Sequence, residues 1–179
     1  MSRNIDIIAM FLIYSIFFYK KWKVKGNDSV IVNTLMYVYI CLVLYVTLMP
    51  IIVSLPFITN HPYRTMNLLP FDDFVNGRGD TVRQIVLNVI MMMPFGFLLP
   101  IVKKKSLFSC TMATFLFSLT IEILQPLING FRSSDITDVI TNTIGGILGY
   151  LLYLLFRPLV NAILLRYRSN SAEKIYRED

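Results

Sequence analysis

Apolar residues in this chain come in long runs separated by short polar or basic clusters. Five runs stand out, at residues 5–19, 30–55, 82–102, 107–128 and 136–156. A bilayer-spanning helix needs roughly 20 mostly apolar residues. The pattern therefore predicts an all-α polytopic membrane bundle of about five transmembrane helices. The first run is broken only by Asp6 and Ser15 and is short for a span. KKWKVKGND follows it instead of a small-residue cleavage site, which predicts a retained helix, not a signal peptide. The second run carries Pro50 near its far end. Residues 56–80 form a polar connection between the second and third spans. This connection holds MNLLPFDDF, an amphipathic piece expected to lie in the interface or dip back into the bundle. Asp80 or Thr81 is placed to cap the third helix, with Gln84 in its first turn. Pro94 and Gly96 are expected to bend that helix, and the fourth should stop around residues 126–130. Residues 158–165 extend the fifth span or lie along the surface, and the polar end from Arg166 is expected to fray. There is no internal repeat. The organisation read from this is an amino-terminal helix and basic loop (1–29), a helical core (30–157) and a basic tail (158–179).

Composition agrees with the runs. Hydrophobic residues make up 55% of the 179 and charged residues 16%, with a mean hydropathy of +0.61. A soluble domain usually carries about 25% charged residues. The net charge of +6 raises nucleic acid as a partner, but the lysines lie in short clusters between apolar runs and form no continuous basic face. They read as orientation signals. With residues 20–25 in the cytoplasm, twelve Lys and Arg fall inside and five (Arg3, Arg64, Arg78, Arg83, Arg132) outside, accounting for all 17. This places the carboxyl terminus in the cytoplasm, and the amino terminus outside unless the first helix lies on the membrane surface. Cys41 and Cys110 sit within apolar runs with no CxxC and no zinc-like Cys/His spacing, so both read as buried free thiols. His61, the single histidine, precedes Pro62 in the connection and reads as structural. No cofactor is expected.

The remaining polar residues fall into stripes. Gln84 and Asn88 are four apart, Glu122 and Gln125 three apart, and Asp135, Asp138 and Asn142 spaced three and four, so each set shares one helix face. In the topology above, all lie in the outer half of the membrane, with Arg83 and Arg132 nearby. A charged side chain facing mid-bilayer lipid costs at least ~3 kcal/mol. The stripes should therefore turn inward, toward each other or a wet cavity. Duller roles stand beside this one. Ser133, Ser134 or Asp135 can cap the fifth helix. Glu122 can pair with Arg132 or Arg83, and the amides can link helices. Gly145 and Gly149, with Gly146 beside them, form a small-xxx-small surface for a neighbouring helix.

The order NLLPF (67–71), NVIMMMPFGFLLP (88–100), TIEILQPLI (120–128) and RSSDITDVITNTIGGILGY (132–150) resembles the VanZ-like family of bacterial membrane proteins. The resemblance covers about residues 67–150, and its last block is the most specific. It implies a membrane fold and a cell-envelope role linked to resistance to teicoplanin and tolerance of lipoglycopeptides. The matched polar positions are Asn67, Asn88, Glu122, Gln125, Arg132, Asp135, Asp138 and Asn142. The resemblance implies no particular reaction.

Three functions remain open. In the first, an outer-leaflet pocket binds the polar head of a membrane lipid, a lipid-linked cell-wall precursor or the lipid-tailed antibiotic. An aminated head or a sugar suits Glu122 and Asp138, whereas a bare phosphate prefers Arg83 and Arg132. In the second, Glu122 and Asp138 act as general acid and base on such a lipid, or hold a divalent cation with Asn88 or Asn142. No nucleophile, His pair or phosphate-cradling glycine loop accompanies them. In the third, the polar residues only knit together a structural or regulatory subunit. A transporter fits poorly, because five spans without repeats lack the usual doubled architecture. The oligomeric state is not legible.

Overall fold

Each of the five apolar runs contains helix in the computed structural model. It describes residues 2–178 except His61, Asn129 and Phe131, and side chains from 4 to 168 except Thr59. The role expected for His61 thus falls outside the described residues. The first run comprises α1 (Ser2–Ile13), a π-helical segment (Tyr14–Tyr19) and α2 (Lys20–Lys23). Then come α3 (Asn27–Thr47), a 3-10 turn (Leu55–Asn60), the one-turn α4 (Asp72–Val75), α5 (Thr81–Lys103), α6 (Leu107–Ile128) and α7 (Ile136–Glu178). Four helices are long and apolar enough to cross a membrane: α3, α5, α6 and the Ile136–Arg168 part of α7.

The first run lies antiparallel along α3. At one end the Asp6 carboxylate accepts hydrogen bonds from the Ile51 and Ile52 N–H groups, both at 2.9 Å. Midway, Tyr37 donates to the Met10 carbonyl at 2.7 Å, and the Tyr14 and Thr34 hydroxyls meet at 2.8 Å. At the other end Phe18 and Trp22 pack their rings on Tyr37. The run therefore follows α3 from end to end rather than lying across its foot.

Two boundaries differ from expectation. α3 stops at Thr47, not near residue 55. Pro50 has no N–H and crowds the residue before it out of helical geometry. The Leu48 and Met49 amides both turn back to the Leu44 carbonyl, at 2.9 and 3.0 Å. The amides just beyond Pro50 are those that Asp6 takes, and Asp6 is only 2% exposed. Asp6→Ala leaves both amides without a partner, and a hydrogen bond to a charged group contributes about 1.5–3 kcal/mol. We expect a clearly lower thermal midpoint for this variant by circular dichroism in detergent, with Asp6→Asn intermediate.

The second difference is at the carboxyl end. α7 runs unbroken through Pro158 to Glu178, 43 residues in all, in place of a frayed tail. A 2.7 Å bond from Arg168 Nε to Asp28 Oδ2 ties it to the start of α3. α5 likewise passes through Pro94 and Pro100 without interruption. Asp80 occupies its N-cap position but makes no capping hydrogen bond.

α5 and α7 form the tightest pair. Gly145 and Gly149 of α7 lie against the Val89 and Met93 carbonyls, and Gly96 of α5 lies against the carbonyl of Gly146. The opposite side of Gly146 meets the Thr114 side chain of α6. Close backbone approach of this kind is how small residues drive helix association in lipid. The apolar core gathers Met36, Val43, Met92, Phe95 and Ile121, with Phe95 stacked on Phe117 at 5.0 Å. The Tyr39 hydroxyl joins α3 to α5 by donating to the Met91 carbonyl.

Candidate functional site

α6 and α7 run antiparallel, and their facing residues step together four at a time. Thr114 meets Gly146, and one turn on, the Asn142 Nδ2 donates to Ser118 Oγ at 2.8 Å. The next step in this register brings Glu122 level with Asp138. The seam thus grows more polar toward the carboxyl end of α6. Glu122 is 2% exposed, and Ser118 and Thr114 are fully buried. Asn142 is also 2% exposed, and its Oδ1 has no hydrogen-bond partner among the described residues. A buried unsatisfied group of this kind costs roughly 1–3 kcal/mol.

The connection before α5 is clipped over this end of the seam. Asn67 donates its N–H to the Ser134 carbonyl at 2.9 Å, and its carbonyl accepts from the Ile136 N–H at 3.0 Å. This forms an isolated bridge between Asn67 and Asp135. The Phe71 N–H bonds Thr137 Oγ1 at 2.9 Å, with Phe71 held in the left-handed region at φ 59°. The amphipathic piece therefore docks on the start of α7. Asp135 is the hub: its Oδ1 caps the Thr137 N–H at 2.7 Å, and its Oδ2 receives the Asn67 amide at 3.3 Å. Its own N–H goes to Glu122 Oε2 at 3.1 Å. Ser134, the other candidate cap, lies beneath and turns its hydroxyl to the Glu122 carbonyl instead.

Between α3, α5, α6 and α7 this arrangement encloses a cavity of about 510 Å³. Asn88, Glu122, Gln125, Arg132, Asp135, Asp138 and Asn142 all line it. The Asn88 Nδ2 reaches Asp138 Oδ1 at 2.7 Å, joining the α5 stripe to the α7 stripe. Gln84 also lines the cavity. Val46 and Leu87 belong both to its wall and to the outward apolar surface, and Phe74, Gln84 and Ser133 of the wall are exposed as well, so the cavity is open to its surroundings. Arg132 donates to the Thr47 carbonyl at 2.9 Å, where the exposed carbonyl end of α3 favours a cation. Arg132 also borders a second, smaller chamber of about 240 Å³.

Two of the candidate residues stand apart from the cavity wall. Arg83 points away, its side chain 74% exposed and 3.8 Å from Asp80. It sits one position before Gln84 in the sequence, but one residue turns a helix by about 100°, enough to leave the shared face. Asn67 acts through Asp135 rather than from the wall. Glu122 has no ion pair with Arg83 or Arg132 among the described residues; its hydrogen-bond partners, the Ser134 hydroxyl and the Asp135 N–H, belong to the start of α7. No group of three or more His, Cys, Asp or Glu among the described residues is arranged to hold a metal ion. We expect Arg83→Ala to change ligand binding to the purified protein by less than about twofold, as for a surface substitution away from special features.

Spacing alone does not single out Ser118, Thr137 or Asp6. A signal for Ser118 is present in the chain: Cys110, Thr114, Ser118 and Glu122 recur every four residues, a small-to-polar stripe on one face. Asp6 carries no such signal, because its partners are backbone amides 45 and 46 residues away.

Comparison with known proteins bears on the same segment. A family model described as VanZ/LLP1 matches residues 36–157. Protein VanZ of Enterococcus faecium is 45% identical over 91 residues, covering 50% of this chain and 53% of that protein. The match therefore spans about half the length of this curated relative. No solved structure matches the chain.

Proposed function

The chain belongs to the VanZ/LLP1 family of membrane proteins, and from that membership we propose that it binds the polar head of an amphiphile in the cavity between α3, α5, α6 and α7. In this reading it acts in the bacterial cell membrane and protects against teicoplanin-type glycopeptides and lipoglycopeptides. The observation that carries it is the cavity's two-sided chemistry. Its inner wall is acidic and amide-rich, and its mouth is flanked by the lipid-facing Val46 and Leu87. A head group can be held inside while its chain stays among lipids. A membrane lipid, a lipid-linked cell-wall precursor and the acylated antibiotic all have that form.

Orientation supports an outer-leaflet position. The Lys20–Lys25 and Lys103–Lys105 clusters cap the helix ends opposite the cavity. Positively charged ends favour the cytoplasm, and in this reading the end of α7 lies there too. The test is to purify the full chain in native lipid discs and identify retained amphiphiles by mass spectrometry. A molecule enriched over bulk lipid, and lost with Glu122→Gln, is expected. Bulk lipid composition in both preparations would defeat the reading.

An enzyme acting on the same head group is the second reading. The register that sets Glu122 level with Asp138 supports it, because an acid–base pair needs two carboxyl groups at one height. Turnover of the retained molecule by wild type, absent in Asp138→Asn, separates enzyme from binder.

A further inference from the structure

Resting on the amphiphile reading of the same cavity, we infer that the head group it takes is a primary ammonium, and that a bare phosphate is disfavoured. What decides between them is which polar groups deep in the wall remain open to a ligand. Three of the wall's nitrogen donors each spend one hydrogen inside the protein. The Asn88 amide N–H donates to Asp138, the Asn142 amide N–H to Ser118, and the Arg132 guanidinium to the Thr47 carbonyl. Arg83, which a phosphate would need, faces away.

The acceptors are not used up. Asp135 spends both oxygens on Thr137 and Asn67 and has little left to offer. Glu122 and Asp138 each commit one oxygen, to the Asp135 N–H and to Asn88. The deepest of these polar residues, Asn142, has an amide oxygen with no partner although the residue is 2% exposed. The wall therefore presents three oxygen acceptors, on Glu122, Asp138 and Asn142, two of them on carboxylates. A primary ammonium brings three N–H donors and a positive charge, and no acceptor. A phosphate brings only acceptors and negative charge, to a wall in which Asp73, Glu122, Asp135 and Asp138 stand against Arg132. A quaternary ammonium carries the charge but no N–H, and leaves the Asn142 oxygen unmet.

The test uses the purified full-length protein in neutral-detergent micelles and four probes: dodecylamine, dodecyltrimethylammonium, dodecyl phosphate and butylamine. We expect dodecylamine to bind at least about tenfold tighter than dodecyltrimethylammonium, as unmet buried acceptors imply, and dodecyl phosphate to bind more weakly than either. This ratio is read on wild-type protein, so it does not depend on any variant folding. Glu122→Gln and Asn142→Leu are each expected to erase most of the preference. Trimethylammonium or phosphate binding as tightly as the amine overturns the ammonium inference and leaves the amphiphile reading standing. An amine preference unchanged in both variants also overturns it, because the amine then binds elsewhere. Butylamine as tight as dodecylamine supports the ammonium head but assigns it to a soluble amine and sinks the amphiphile reading. Binding of none of the four overturns both.

Discussion

On the proposed function, cells carrying Glu122→Gln or Asp138→Asn are expected to lose teicoplanin protection down to the level of cells lacking the protein, with normal amounts of the protein in the membrane. Both substitutions keep side-chain volume. In the first, the new amide still offers an oxygen to the Asp135 N–H, which lies 3.1 Å from the native carboxylate. In the second, the new amide still offers one to the Asn88 side chain, which lies 2.7 Å from the native carboxylate. What disappears in each is one carboxylate of the cavity wall. Neutral replacements of this shape usually cost the fold no more than about 1 kcal/mol, whereas a ligand held by that charge loses its main partner. The measurement pairs the inhibitory concentration of teicoplanin with immunoblots of the membrane fraction. Full protection at normal levels would rule out the carboxylate charges as the working feature. Collapsed protein levels would instead assign Glu122 and Asp138 to holding the bundle together.

The second large effect is expected at the α5–α7 contact. A Cβ added at Gly96 overlaps the Gly146 carbonyl, and one added at Gly149 overlaps the Met93 carbonyl. In both cases the obstacle is backbone in the middle of a helix, which cannot rotate aside. Overpacking typically costs 1–3 kcal/mol and occasionally more. With backbone as the obstacle, we expect Gly96→Ala and Gly149→Ala each to cost roughly 3 kcal/mol, and most folded protein to be lost on fluorescence-detected size exclusion. Gly146 differs, because its added Cβ meets the Thr114 side chain. Gly146→Ala should therefore be milder, and Thr114→Ala in the same chain should restore much of the loss. If all three alanines fold as well as wild type, the close approach of α5 and α7 is wrong.

Much of this arrangement is legible in the sequence, and the limits have physical causes. Helix placement follows from apolar length alone; α6 begins and ends at the residues its run suggests. Spacings of three and four put Glu122, Asp138 and Asn142 on single faces, because a helix surface repeats on that period. Proline is the less dependable guide. Pro50 ends a helix early, yet Pro94, Pro100, Pro126 and Pro158 all lie inside helices. In lipid, neighbouring helices and local adjustments re-satisfy the backbone that proline frees, so the residue alone does not set the break. The clip from Asn67 to Ser134 and Ile136 is not legible either, since it is made by backbone groups that almost every residue carries. Nearness in sequence assigns Arg83 to the site, and one position of helical rotation undoes that assignment.

The length of α7 has a geometric consequence. At 1.5 Å per residue, its 43 residues make a rod of roughly 65 Å, about twice the ~30 Å thickness of the hydrocarbon layer. Tilt alone cannot submerge it. If its Asp135 end is fixed beneath one headgroup layer, roughly 30 Å of unbroken helix must stand out past the opposite leaflet, like a mast stepped in the far side of the hull. Any protein touching that projecting shaft would be gripping the same continuous helix that walls the polar chamber.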